Sequence, residues 1–296
     1  TIGNHNTTIG NSARRLGTGG SYNVAIGVNS QYCGGDCSSN TSIGSCTMYH
    51  NTTGQENTVV GRDTLKASVT GAQNTAVGAY ALLVSNASHN TAVGYSGLKC
   101  NIAGTDNTVL GFCAAHSNTS GCRATFIGNE AGRNHTTAAN NTGVGNLVML
   151  KTTSGAQNVA VGGYALICNT IASENTALGY AALYANTAGC NTAVGNRTLC
   201  NNTSGHGNVA VGRNSMQANT TGCGNVAVGC ESLRSNTCGY SNNAVGEYAL
   251  CSNTSGQNNN ALGQAALCTN TEGEHNIGVG YRALFSNTCG DYNVAI

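Results

Sequence analysis

The sequence predicts an all-β fold, a single β-solenoid of about 17 coils with a 17-residue repeat. Three observations predict this class: a glycine that returns at a nearly constant interval, a strand-like phrase before each glycine, and a turn-forming phrase after it. Helical repeats and leucine-rich repeats need about 20 residues or more, so this repeat is too short for either. Short strands joined by tight corners are the remaining solution.

The repeat is defined by an anchor glycine, whose 17 occurrences are separated by 14 intervals of 17 residues and two of 16. A Val, Ile or Leu always precedes it, and an Asn stands four residues before it in every repeat except one, where Ala124 replaces the Asn. A second apolar residue, in most repeats Leu, follows four residues after it. The anchor glycines are Gly10, Gly27, Gly44, Gly61, Gly78, Gly94, Gly111, Gly128, Gly145, Gly162, Gly179, Gly195, Gly212, Gly229, Gly246, Gly263 and Gly280.

The phrase Thr-Ala-Val before the anchor glycine predicts a short strand, because alternate strand residues share a face and Thr and Val favour strands. We expect the Thr and Val positions to point inward, with Val77, Val161 and Val228 in one apolar column that neighbouring coils cover. The repeated Asn predicts an amide ladder. The later phrase Asn-Thr-x-Gly predicts a polar corner, since Asn and Gly accept left-handed backbone. The two 16-residue repeats are expected to shorten a loop rather than a strand.

Composition excludes several classes of protein. The chain has 296 residues, 42 Gly, no Pro, 8% charged residues and a net charge of +1. A neutral chain with an aliphatic residue in every repeat is unlike a disordered one. There is no basic block for nucleic acid and no apolar run long enough for a membrane span, and we expect no signal peptide at the start of this sequence. We expect residues 1–296 to form one continuous array, a segment of a longer fibre or a unit that stacks end to end.

The repeats resemble those of known surface proteins. The phrases YNVAIG (22–27), NVAVGG (158–163) and NVAVGC (225–230) resemble the head repeats of trimeric autotransporter adhesins, which form left-handed β-rolls at the cell surface. The longer phrase Asn-Thr-Ala-Val-Gly-Tyr-x-Ala-Leu-x-x-Asn-Thr-x-Gly resembles repeats of phage tail fibres and of large-virus or microbial surface proteins. This resemblance implies self-association as a homotrimer and a location outside the cell or on a cell or virion surface. Self-association as an end-to-end filament is expected separately, because no atypical repeat marks either end of the array. It also implies inward aliphatic side chains at Val161, Val194 and Val211.

The 15 cysteines contain no Cys-x-x-Cys motif, which excludes zinc-ribbon and thioredoxin-like sites. Cys251 and Cys268 hold the same position in consecutive repeats, so stacking sets them about 4.8 Å apart, within disulfide reach. The other candidate pairs are Cys223 with Cys238, Cys33 with Cys37, and Cys190 with Cys200. Such disulfides indicate an oxidising, extracellular setting. The alternative is that buried thiols serve as small apolar groups.

Asn-x-Ser/Thr sequons fall repeatedly in the predicted polar corner, which we expect to be exposed. Covalent glycans are therefore predicted in a secretory setting, although a repeat rich in Asn and Thr also generates sequons by composition alone. The candidate sites are Asn51, Asn86, Asn118, Asn202, Asn219 and Asn253.

No catalytic, cofactor-binding or metal-ligating residue can be singled out. The seven His are scattered without metal-ligand spacing, and the GTGG phrase at 17–20 lacks the Gly-Lys-Ser/Thr ending of a phosphate loop. A structural extracellular fibre, filament or surface scaffold is the favoured function, and an enzyme is not predicted. An adhesin or viral tail-fibre shaft that binds host receptors or glycans is the first alternative. A polysaccharide lyase would need charged residues clustered on a strand face. Ice binding by the Thr row is disfavoured by the expected inward position of that row.

Overall fold

A computed structural model of the protein describes residues 3–296. The chain divides into two units, the first ending at Leu147 and the second comprising Val148–Ile296. Each unit is a parallel β-solenoid, and no helix occurs among the described residues. The predicted all-β class and the 17-residue repeat are confirmed, whereas a single continuous array stays a prediction.

Each coil contributes one short strand just before its anchor glycine. The strands of the first unit are β1 (Thr7–Ile9), β2 (Val24–Ile26), β3 (Thr41–Ile43), β4 (Thr58–Val60), β5 (Thr75–Val77), β6 (Thr91–Val93), β7 (Thr108–Leu110), β8 (Thr125–Ile127) and β9 (Thr142–Val144). Those of the second unit are β10 (Val159–Val161), β11 (Thr176–Leu178), β12 (Thr192–Val194), β13 (Val209–Val211), β14 (Val226–Val228), β15 (Asn243–Val245), β16 (Asn260–Leu262), β17 (Ile277–Val279) and β18 (Val294–Ala295).

Within each unit every strand pairs in parallel with the strand of the next coil, so equivalent residues of the repeat lie side by side. The shortened coils obey this rule: Thr75 is opposite Thr91, and Thr176 is opposite Thr192. The missing residue lies in the polar corner, where the carbonyl of Ala87 accepts the bond from Asn74 Nδ2 that a glycine carbonyl accepts in ordinary coils. The expectation that a loop is shortened is therefore confirmed.

The middle residue of each strand from β2 to β17 faces the core, which corrects the predicted orientation. Ala160 and Ala227 are fully buried, whereas Val161 and Val228 are 40% and 36% exposed. The Val194 and Val211 side chains and the Thr row likewise share the outer side of their strands, because alternate strand residues point to opposite faces. The residue four positions after the anchor glycine, such as Leu166, fills the core from the other side of the coil. Where that residue is large, the middle residue of the strand is usually Ala, although Val59 is buried together with Leu65.

Two backbone features explain why the repeat is so strict. The anchor glycines have φ between 118° and 146°, and a Cβ on Gly162 would lie 2.5 Å from the carbonyl oxygen of Gly179 on the next coil. No other residue fits that contact or that backbone region. The core leucines also have positive φ, for example 49° at Leu65, so their burial offsets a conformation that L residues avoid.

The Asn before each strand forms the predicted amide ladder. In the second unit the Oδ1 of Asn208 accepts bonds from the backbone N of Asn225 at 3.0 Å and from its Nδ2 at 3.2 Å. The same Nδ2 donates to the carbonyl oxygen of Gly239 at 2.9 Å. Each buried amide thus joins two coils, and its polar atoms are paired, as buried polar groups require.

A second amide ladder runs along the polar corner, seven residues after the anchor glycine. The sequence analysis does not predict this ladder. Asn219 Nδ2 donates to Asn202 Oδ1 at 2.7 Å and to the carbonyl oxygen of Gly222 at 3.0 Å. Asn202 and Asn219 are fully buried. The recurring Asn of the Asn-Thr-x-Gly phrase is consistent with such a ladder, but the phrase predicts an exposed corner because turn residues are usually exposed.

Gln31 breaks the apolar rule of the core and provides a stability prediction. It stands four residues after Gly27, is fully buried, and its Oε1 has no hydrogen-bond partner in the part of the chain that the structure describes. Leaving a buried carbonyl unpaired costs about 1–3 kcal/mol. We therefore expect Gln31→Leu, which introduces the residue of the later coils, to raise the free energy of unfolding by about that amount. Urea denaturation followed by circular dichroism measures it.

The control for this prediction is Met48→Leu, at the same position one coil later. Met48 is already apolar and fully buried, so an exchange of similar volume should change stability by less than about 1.5 kcal/mol. Equal effects of the two substitutions would show that leucine packing, and not removal of the unpaired carbonyl, explains any gain.

Candidate functional surface

The outer strand residues are the first and third residues of each strand, and they form two parallel rows that we call the strand face of a unit. The third residue is always aliphatic, and several are well exposed, among them Leu110 at 48% and Leu262 at 53%. None of the outer residues of β1–β18 is Asp, Glu, Lys, Arg or His, although the chain contains 12 basic and 11 acidic residues. The strand faces are therefore uncharged and partly apolar surfaces.

The two units differ in the first row. In the first unit seven consecutive strands, β3–β9, begin with Thr. In the second unit only β11 and β12 do, and the row is mostly aliphatic or amide. Its members are Val159, Thr176, Thr192, Val209, Val226, Asn243, Asn260, Ile277 and Val294. The first unit thus exposes hydroxyls beside aliphatic groups, and the second exposes mainly aliphatic groups in both rows.

Charged residues lie outside the strands, and many of them are on the corners that follow the anchor glycines. There they pair locally, as in Lys66 Nζ to Asp63 Oδ1 at 2.8 Å and Arg234 Nη1 to Glu231 Oε2 at 2.9 Å. Exposed pairs of this kind contribute little to stability. No group of three His, Cys, Asp or Glu residues that could hold a metal ion occurs in residues 3–296. In the same range no helix is long and apolar enough to cross a membrane.

All 15 cysteines are free thiols, so the predicted disulfides are not formed in this structure. Cys251 and Cys268 do hold equivalent, half-buried positions on neighbouring coils. Burial raises the pKa of both thiols, and the proximity of Cys268 raises the pKa of Cys251 further. A raised pKa keeps a thiol protonated and slows its reaction.

The other candidate pairs have different surroundings. Cys223 Sγ lies 3.2 Å from His206 Nδ1, while Cys238 is exposed on the next coil. The remaining two pairs each combine a buried thiol with a more accessible one: Cys37 with Cys33, and Cys200 with Cys190. The two cysteines of each of these pairs lie at different positions of the repeat, whereas Cys251 and Cys268 lie at the same position.

Five of the six predicted glycosylation sites are buried, so the expectation that the polar corner exposes them is wrong. Their amides point inward because each belongs to the second amide ladder and bonds the glycine carbonyl three residues later. The five residues are Asn51, Asn118, Asn202, Asn219 and Asn253. Asn86 is exposed, and its Oδ1 accepts a bond from Val69 N at 2.7 Å. Modification of Asn86 stays a prediction.

One coil pair of the first unit departs from the repeat at four linked positions. Ala124 replaces the ladder Asn, Phe126 replaces the strand Ala, Gly132 replaces the core Leu, and His135 replaces the Asn of the second ladder. Phe126 and His135 are fully buried, with ring centroids 5.0 Å apart. A Cβ on Gly132 would lie 2.5 Å from the Phe126 ring. In this coil pair the large buried side chain is therefore supplied by the strand and not by the corner, and the imidazole of His135 packs against it.

His135 also replaces the hydrogen bonds of the ladder. Its Nδ1 lies 3.0 Å from Asn118 Oδ1, and its Nε2 lies 3.3 Å from Asn141 Nδ2. Because Oδ1 only accepts and Nδ2 only donates, Nδ1 carries the proton and Nε2 accepts. Burial lowers the pKa of His135 to about 4, so the imidazole is neutral at pH 7. It is a structural group enclosed in the core.

Comparison of the chain with models of known protein families and with curated proteins finds no match. The strand faces are therefore interpreted from their own chemistry.

Proposed function

We propose that this protein is a structural component of an extracellular fibre or surface scaffold, in which chains associate side by side through the strand face of the second unit. The observation that carries the proposal is the uncharged double row of exposed side chains on β10–β17. Val159, Val161, Val209 and Val245 are 37–40% exposed, and Ile277 is 39% exposed. Contiguous exposed apolar surface of this kind commonly marks an interaction site.

The construction of each coil supports a mechanical role. Within each unit, backbone pairing of the strands links successive coils, and the two buried amide ladders add links between most of them, so the stability of one coil depends on the coils beside it. In an oxidising environment, we expect Cys251 and Cys268 to add a covalent link, with the extracellular oxidant accepting two electrons and two protons. Equivalent residues of paired coils lie about 4.8 Å apart, within the Cα separations of disulfides.

The size of the strand face sets the expected strength of association. Strands spaced by about 4.8 Å make the face of β10–β17 about 35 Å long and about 10 Å wide, or roughly 350 Å². Stable interfaces bury about 800 Å² per partner, so contact through this face alone is expected to be weak, roughly micromolar or weaker. A fibre presents many copies of such a face, and multivalency then makes the contact effective.

Sedimentation velocity of the full chain over a range of concentrations tests this function. We expect self-association that increases with concentration, and loss of it in Val209→Lys/Val245→Lys. Two lysines on the face introduce charges that would have to be desolvated or to repel those of a second copy. Electron microscopy of concentrated samples should show laterally associated particles for the unmodified chain and separate particles for Val209→Lys/Val245→Lys.

The matched control is Thr221→Lys/Ser255→Lys, which adds the same two charges to exposed positions of the polar corner. This variant should associate like the unmodified chain. Purely monomeric behaviour of the unmodified chain at high concentration would refute the proposal, as would equal loss of association in both double variants.

A further inference from the structure

The strand face of the first unit has a composition that the fibre function does not require. Seven consecutive coils present Thr in the first row and an aliphatic residue in the second, in matched register. The threonines are Thr41, Thr58, Thr75, Thr91, Thr108, Thr125 and Thr142. Their aliphatic neighbours are Ile43, Val60, Val77, Val93, Leu110, Ile127 and Val144. No side chain on this face is longer than Leu, so none protrudes.

The hydroxyls of this row are available to solvent. Thr58, Thr75 and Thr108 are exposed, and their Oγ1 atoms make no hydrogen bond to any part of residues 3–296. Equivalent atoms on paired coils are about 4.8 Å apart, which is beyond hydrogen-bond distance. Each hydroxyl therefore keeps its donor and acceptor positions for water, and the γ-methyl groups between them restrict the orientation of the surrounding first-shell water.

We propose that this strand face binds ice. A repeated array of hydroxyl and methyl groups holds water at regular intervals, and the coil spacing of about 4.8 Å is close to a repeat of water oxygens in the hexagonal ice lattice. A lattice can engage many identical sites at once, so weak contacts at seven coils add together. The outward orientation of the Thr row, which the sequence alone did not predict, makes this arrangement accessible.

Other partners fit this face less well. A second protein copy would bury the free hydroxyls, and each hydroxyl left without a hydrogen-bond partner would weaken the contact. Crystalline polysaccharide and nucleic acid bases are bound by stacking on aromatic rings, and the outer residues of β3–β9 include none. Phosphate-rich partners need cations, which the face also lacks. Ice requires neither rings nor charges, and it leaves the hydroxyls hydrogen-bonded.

The test compares the full chain with Thr75→Lys/Thr108→Lys. We measure the gap between the melting and freezing temperatures of a single ice crystal, and the uptake of fluorescently labelled protein into a growing ice front. The unmodified chain is expected to separate the two temperatures and to enter the ice, and the double variant to lose most of both effects. Far-ultraviolet circular dichroism establishes that each variant retains the fold.

The matched control is Thr70→Lys/Ser120→Lys, which places the same charges on exposed corner residues of the same unit. It should retain the activity of the unmodified chain. The proposal is overturned if the unmodified chain neither shifts the freezing temperature nor enters ice, or if both double variants lose activity equally. These outcomes are independent of association in solution, so the fibre function and ice binding can fail separately.

Discussion

Replacing Phe126 by alanine is expected to lower the free energy of unfolding by about 3–5 kcal/mol, the usual range for a buried phenylalanine. Phe126 is fully buried in the middle of β8. The adjacent corner cannot fill the resulting cavity, because Gly132 stands where most other coils carry Leu. Urea denaturation measures the loss, and amide hydrogen exchange in β7 and β8 shows whether it is confined to the surrounding coils.

The same region provides a rescue that separates packing from other causes. Gly132→Leu alone should destabilise the protein by about 1–3 kcal/mol, because the new Cβ would overlap the Phe126 ring. In the double variant Phe126→Ala/Gly132→Leu, the pair becomes the Ala and Leu of ordinary coils. Gly132 has φ 57°, close to the 49° of Leu82, so the backbone already suits leucine.

We therefore expect the double variant to be more stable than either single variant. The coupling energy between the two substitutions should be several kcal/mol, which is at or above the upper end of about 3 kcal/mol that is usual for residues in contact. Independent, additive losses would contradict the exchange of volume between strand and corner. Ala76→Gly, which removes only one buried methyl group from β5, serves as a control for general sensitivity of the strand and should cost about 1 kcal/mol.

The fold was predictable because one constraint repeats. The anchor glycine at constant spacing, the aliphatic residue before it and the Asn ladder all follow from coils that must stack in register. The direction of the strand side chains was not predictable in the same way. In the phrase Thr-Ala-Val, alternation defines two faces but does not decide which face is inward, and the larger aliphatic residues suggested the wrong one.

The composition of the candidate surfaces depends on which face of each strand points inward. With Ala inward and Leu166 entering from the corner, Val161 becomes part of an exposed face, and the Thr row becomes accessible. The burial of Asn51 and Asn118 was hidden for a related reason. A sequon suggests an exposed Asn. Only the three-dimensional structure shows that the amide points inward and donates a hydrogen bond to the glycine carbonyl three residues later. The Phe126 and Gly132 exchange is visible in the sequence once both positions are known to face one core.

Acidification should destabilise the first unit through His135. Burial lowers the pKa of His135 from 6.5 to about 4, so the folded state resists a proton that the unfolded chain accepts. Between these two pH values the unfolded state binds more protons, and stability therefore rises with pH across this window. The full contribution is present above pH 6.5 and is lost as the pH falls towards 4. A difference of about 2.5 pH units corresponds to roughly 3 kcal/mol.

The hydrogen bonds of His135 also predict that stability falls when the imidazole is protonated. Protonation would place a hydrogen on Nε2, which faces the donor Asn141 Nδ2 at 3.3 Å, so a favourable contact would become two opposed donors. We expect His135→Asn, which introduces the residue found at this position in many other coils, to remove this part of the pH dependence. The measurement is the free energy of unfolding of both proteins from pH 4 to pH 7, taken as a difference so that the carboxylates common to both cancel.

The exposed His50 supplies the matched control, because His50→Asn makes the same chemical change at the surface. The difference for His135→Asn should change by roughly 3 kcal/mol over the window, and that change should exceed the change measured for the exposed His50→Asn. Parallel pH profiles for the unmodified chain and His135→Asn would mean that the imidazole is solvated or charged within the fold. In that case His135 could not make the hydrogen bonds of a neutral imidazole to Asn118 and Asn141 in the core.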